Sequence, residues 1–223
     1  MSVIDFFTTK PDVVFSPDRI WLTPEAKFNG LVAQVQDRLD EDQFVFVLAH
    51  FPATLARVEQ ELSAAGVPNE FHDGRLTRKN LVSLIDQANG QRVLLVLADS
   101  LAFDELPLEI NDSVEEVTFV VAERHFLRQK DEAISSFARK LGRPCEVVFY
   151  LSLHDPLMKH FAGIWIENVL LRLGLDESKA IESKMVASRV KVAQAKLSSG
   201  VFSDRPADSA EEWLRLNVPE VAV

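Results

Sequence analysis

Along the chain, unbroken apolar runs alternate with stretches in which apolar residues recur every three or four positions. Phe44–Ala49 and Val93–Leu97 are of the first kind, as are Val117–Val121 and the run 146–153 apart from Thr118, Glu146 and Ser152. Continuous runs of this length predict strands of a parallel sheet covered on both faces. Between them, Phe28, Leu31, Val32, Val35 and Leu39 trace one amphipathic helix, and Leu55, Val58 and Leu62 a second over 54–65. Leu81, Leu84, Ile85 and Ala88 trace a third, which Thr77 caps. Thr23-Pro24-Glu25 starts the first with a hydroxyl cap, a proline at the first helical position and an acid at the positive helix end. Gly66 and Gly90 stop the second and third. A short strand at Glu70-Phe71-His72 leads into a turn at Asp73-Gly74. Strands alternating with helices predict right-handed crossovers and an α/β lobe.

The two ends read differently. Residues 1–22 hold two short apolar pieces punctuated by Pro11 and Pro17, which predict a leading strand or linker. After Gly163 a helical pattern over 164–173 stops at Gly174, a long helix is predicted over 176–197, and a short one over 211–216. The expected organisation is a leading segment 1–22, an α/β lobe 23–163 and a helical extension 164–223 docked on the lobe.

Composition narrows the function. A length of 223 residues suffices for one substantial domain with an appendage. A formal charge of -10 argues against general nucleic-acid binding, which needs a basic surface. No apolar run approaches the roughly 20 residues of a membrane span, and the start, with Asp5 and no basic region, does not read as a signal peptide. The single Cys145 leaves no internal disulfide and no Cys-rich zinc site. A cytoplasmic protein is expected.

Candidate chemistry concentrates at strand ends. Glu123-Arg124-His125 follows the run Val117–Val121 directly. It reads either as a coupling or ligand site or as a strand-end ion pair with a structural histidine. Arg128, Lys130, Arg139, Lys140 and Arg143 could form an anion patch, but Asp131 and Glu132 interleave with them and favour a solvated mixed face. His50 and His72 also end strands, where doubly wound sheets place ligands, although solvated or capping roles suit them better. His154 and His160 do not share the i,i+4 face of zinc enzymes, and Ser152 lacks the Gly-x-Ser-x-Gly turn of a hydrolase. Cys145 reads as a quiet thiol and Trp213 as a docking anchor or a lid.

Two of these stretches carry a resemblance. Glu123-Arg124-His125, followed after 23 residues by Phe149-Tyr150-Leu151-Ser152-Leu153 and Asp155-Pro156-Leu157-Met158, resembles the second motor domain of the SecA family of protein-export ATPases. Thr23-Pro24-Glu25-Ala26-Lys27-Phe28 is similar to that domain's start. Ile181-Glu182-Ser183-Lys184-Met185-Val186 and Ala193-Gln194-Ala195-Lys196 are similar to the start of its helical scaffold. The resemblance implies a RecA-like lobe, a parallel sheet flanked by helices of the helicase C-terminal type. It implies a degenerate, stand-alone copy, because no Gly-x-x-x-x-Gly-Lys-Ser/Thr loop occurs. Where the family reads Thr-Asn-x-Ala-Gly-Arg-Gly-Thr-Asp-Ile, this chain has Ala98 through Pro107, with Phe103 at the arginine. Where the family reads Gln-x-x-Gly-Arg-x-Gly-Arg, it has Ala133 through Lys140, with Phe137 at the first arginine and Lys140 at the last.

The resemblance therefore implies a non-catalytic binding or regulatory module connected with protein translocation. Glu123, Arg124 and His125 are its retained signature site, and Arg128, Arg139 and Lys140 are candidate weak anion contacts. The alternative is half of a split ATPase that completes its site with a separate first lobe. No cofactor or metal is expected, with weak ATP or ADP binding left open. The expected partner is a protein: a SecA-type or other motor lobe, or a second copy.

Overall fold

The computed structural model describes residues 13–76, 93–101, 116–141, 144–159, 178–201 and 203–219. The helices expected over 77–90 and 164–173, the run 102–107, Arg143 and His160 lie outside them.

Among the described residues eight strands form one sheet. They are β1 (Val13–Phe15), β2 (Arg19–Trp21), β3 (Phe44–Ala49), β4 (Glu70–His72), β5 (Val93–Leu97), β6 (Val117–Val121), β7 (Cys145–Ser152) and β8 (Ile181–Glu182). Their spatial order is β4-β5-β3-β6-β7-β2-β8, with β1 also on β7. Every pairing is parallel except β2 with β8. The molecule thus has the expected α/β architecture, a mostly parallel sheet flanked by helices.

Strand side chains alternate between two cores. Phe44, Phe46 and Leu48 point to one face with Val117, Phe119, Val121 and Phe149. Val45, Val47 and Ala49 point to the other with Val120, Val148 and Tyr150. The first face is covered by α3 (Arg128–Lys140), the second by α1 (Pro24–Asp40) and α2 (Pro52–Ala64). The start of α1 is as expected: Pro24 leads the helix, and the Thr23 hydroxyl accepts the Ala26 N–H at 3.2 Å. Gly30 lets α1 lie on the sheet, since a Cβ there would sit 2.3 Å from the Trp21 ring. Gly66, at φ 71, ends α2 in the left-handed region that glycine tolerates.

The leading segment takes the strand form of its two expected readings, whereas the other end departs from the sequence reading. Residues 13–21 are two strands laid along β7, interrupted at Ser16-Pro17-Asp18. Pro17 has no N–H for a ladder, so the break falls there. At the other end, Ile181 and Glu182 belong not to a helix but to β8, which pairs with the open edge of β2. Backbone donors and acceptors on that edge need partners, and this two-residue strand supplies them. Ser183 then caps α5 (Lys184–Gly200). The short α4 (Pro156–Met158) and α6 (Ala210–Asn217) complete the described helices. Val186, Val190, Ala193, Leu197, Trp213 and Leu214 form a third core with Ile20, Leu151 and Leu157 at the end of the sheet. Among the described residues no helix is long and apolar enough to cross a membrane.

Candidate functional site

The strand order creates one crevice. From β3 the chain leaves through α2 toward β4 on one side; from the neighbouring β6 it leaves through α3 toward β7 on the other. Where connections from adjacent parallel strands diverge, their carboxyl ends frame the position at which such sheets bind ligands. His50 and Phe51 follow β3 there, and Glu123-Arg124-His125 follows β6.

Glu123 turns back onto the start of α2. Its Oε1 accepts the N–H groups of His50 and Phe51, each at 3.0 Å, and its Oε2 accepts the Thr54 hydroxyl at 2.7 Å. The Phe51 side chain cannot cap α2, and Glu123 does so from another strand. The next free donor of α2, the Ala53 N–H, is taken by the Asp208 carbonyl at 2.9 Å. Burial lifts the Glu123 carboxyl above the usual carboxylate range, against the pull of His50, the Thr54 hydroxyl and Lys27. Behind it Lys27 is 4% exposed, donating to the Ala122 carbonyl at 3.2 Å and pairing with Asp155 at 2.8 Å.

Arg124 is clamped. Its Nε and Nη2 donate to the two oxygens of Asp18 at 2.9 and 2.6 Å, and its Nη1 donates to Asp131 at 2.9 Å. Its guanidinium lies 3.8 Å from the Phe149 ring centre. Burial alone would lower the Arg124 pKa, but Asp18 and Asp131 outweigh it and keep the group charged.

Asp131, in the first turn of α3, is the hub. One oxygen accepts from His50 Nε2 at 2.9 Å and the His125 N–H at 3.0 Å; the other accepts from Arg124 and from Gln194 Nε2 at 2.7 Å. Burial would raise this carboxyl, yet the His50 hydrogen bond and charge, Arg124 and the His125 N–H hold it below the usual range. His125 Nδ1 accepts the Leu127 N–H at 2.9 Å, which places its proton on Nε2. Burial, then the neighbouring His50, pushes the His125 pKa down to about 3, so the ring is neutral. It lies against Phe51, Phe126 and Trp213, and Trp213 stacks on Phe126 with centroids 4.8 Å apart.

The expected triplet is therefore one buried network, joined by residues that the sequence did not mark. Asp131 was expected on a solvated face and is 4% exposed; His50 was expected to be solvated or a cap and lies in the same network. Asp18 follows a proline break and carries no motif. Gln194 stood within the scaffold-like run, its role unmarked. The anion candidates do not converge. Arg128 pairs with Glu132 in the first turn of α3, whereas Arg139, about 16 Å along the helix, lies over the Phe15 ring. Lys140 follows Arg139 in that last turn. Phe137 is 2% exposed and packs edge-on against Phe46 and Phe119. Cys145 is buried, its thiol pushed up to about 12 by burial and Glu116. No group of three or more His, Cys, Asp or Glu among the described residues is arranged to hold a metal.

Comparison with known proteins agrees with the resemblance. The family model of the SecA P-loop domain matches residues 108–178. The protein translocase subunit SecA of Heliobacterium modesticaldum is 29% identical over 212 residues, 92% of this chain and 25% of that protein. SecA of Clostridium novyi is 28% identical over 193 residues, 85% of this chain and 23% of that protein. The chain thus spans about a quarter of the length of these relatives. Among solved structures, the C-terminal part of the Fun30 ATPase domain aligns with a TM-score of 0.46 at 15% identity, covering 78% of this chain and 54% of that one.

Proposed function

Taking the chain as a relative of SecA, we propose that it is a binding or regulatory module connected with protein translocation, without ATP turnover of its own. One observation carries the reading: the backbone N–H groups of His50, Phe51 and Ala53 at the crevice between β3 and β6 have partners within the chain. The N–H groups at the start of α2, where an open sheet of this kind would hold a phosphate, are taken by Glu123 and the Asp208 carbonyl. Arg124 is fully engaged by Asp18 and Asp131. An arginine finger contributes roughly 10³- to 10⁵-fold in rate by meeting phosphoryl charge with a planar fork. The family position of that arginine is Phe137, which is packed into the sheet core.

The partner in this reading is a SecA-type motor lobe, another such lobe or a second copy, in the cytoplasm. The test is ATP hydrolysis and nucleotide binding by the purified chain, alone and mixed with an isolated first motor lobe of SecA, alongside sedimentation of the mixture. Complex formation without turnover is expected. ATP hydrolysis that appears on mixing and disappears with Arg139→Ala would establish the split ATPase in its place.

A further inference from the structure

Helix α5 carries seam-like positions on two opposite sides, and the fold covers only one of them. Val186, Val190, Ala193 and Leu197 are buried in the third core. On the other side Met185, Ser188, Val192, Ala195 and Ser199 are all exposed, Met185 at 50% and Val192 at 55%. Their spacing is three, four, three and four, the repeat of a helix–helix seam, and it runs about 21 Å along the helix. Every member is apolar or small. Such a row offers holes for a partner's side chains and lets a second backbone come close.

The charges beside the seam supply the second observation. The other described helices longer than one turn pair a base with an acid three or four positions away: Arg38 with Glu41, Arg57 with Glu61, Arg128 with Glu132 and Arg215 with Glu212. By contrast, α5 holds Lys184, Arg189, Lys191 and Lys196 and no acid, in a chain of formal charge -10. Lys191 and Lys196 are exposed and flank the seam on opposite sides, at the heptad positions that select a partner by charge. Two copies of α5 laid together would set base against base, so the face selects against itself. A lipid surface is a poor match as well, because the five seam residues include no aromatic or leucine side chain to anchor there.

We propose that the exposed face of α5 docks an acidic amphipathic helix of a partner protein. That helix sets large apolar side chains into the seam at Met185, Val192 and Ala195 and places Glu or Asp beside Lys191 and Lys196. Charge complementarity fixes the choice of partner and the register, and the small seam residues leave room for the partner's bulk. This deepens the binding-module reading and rests on it only in taking a protein as the occupant.

The experiment uses the full chain with isotope-labelled methionine methyls. The probes are a capped three-heptad peptide with Leu at the seam positions and Glu at the flanks, the same peptide with Lys at the flanks, and phosphatidylglycerol vesicles. The expected result is a saturable shift of the Met185 methyl with the Glu peptide, while the buried Met158 methyl stays in place. The Lys peptide should bind at least about tenfold more weakly. The double variant Lys191→Glu/Lys196→Glu should reverse that preference, and Val192→Asp should weaken both peptides, with Arg57→Glu on α2 leaving binding unchanged. Equal binding of the two peptides, or a preference that survives the double variant, would overturn the proposal. Capture on the vesicles that the double variant abolishes, with no response to the Glu peptide, would overturn the protein partner in favour of a lipid surface. No step of this test uses ATP, so its failure is separate from a failure of the non-catalytic reading.

Discussion

The two ends of α3 sit in opposite surroundings, one polar and one apolar. In the first turn Asp131 is buried and accepts hydrogen bonds from four residues on three other segments. In the last turn Arg139 lies over Phe15 and Leu141 closes the apolar core. The first turn joins the polar network behind Glu123-Arg124-His125; the last joins an apolar core. Glu123, Arg124 and His125 are each anchored by internal partners, so their presence is explained by the fold. A polar triplet after a strand is therefore weak ground for a ligand site when internal partners already hold it.

The sharpest way to break this contrast is Asp131→Ala. It leaves Arg124 and His50 buried without their shared acceptor, and a loss of about 5 kcal/mol in urea denaturation is expected. Trp213→Ala comes next, at about 3 kcal/mol, because it opens a cavity against Phe126 and His125. It should also make the segment around Asp204 the first site of limited proteolysis, since the indole donates to Asp204 at 2.7 Å.

Acid sensitivity is smaller and has a definite sign. The folded pKa of His125, about 3, lies below its ordinary 6.5, so the unfolded chain binds the proton more readily between those values. Its contribution to stability is complete above pH 6.5 and is lost as pH falls toward 3. The stability difference between the wild type and His125→Asn should change by about 1.4 kcal/mol per pH unit in that window. Glu123, whose carboxyl is raised, acts in the opposite sense in both proteins and cancels in the difference. Arg139→Ala should be the mildest change, within about 0.5 kcal/mol by the same denaturation assay.

The fold was legible wherever one periodicity held over several residues. The strands Phe44–Ala49, Val93–Leu97 and Val117–Val121 and the capped start of α1 stand where the apolar pattern puts them. The pattern failed at Ile181 and Glu182, because two residues cannot display a period and their strand exists only through the edge of β2. It also failed for Asp131. A charged residue flanked by Lys130 and Glu132 looks solvated in one dimension, and its burial depends on Asp18, His50, Arg124 and Gln194, the last 63 positions away. The triplet at 123–125 was visible as unusual polarity after a strand, but most of its partners were not, since only Leu127 and Asp131 are close in sequence.

The strand order also constrains when the molecule can be completed. Residues 13–21 have no neighbour in the sheet until β7 has been made, and β2 is not enclosed until residue 182 follows. The clamp of Asp18 on Arg124 joins positions 106 apart and must wait for the same event. Residues 13–21 are thus installed only after β7, and until then Ile20, which packs with Leu151 and Leu157, is uncovered in the nascent chain.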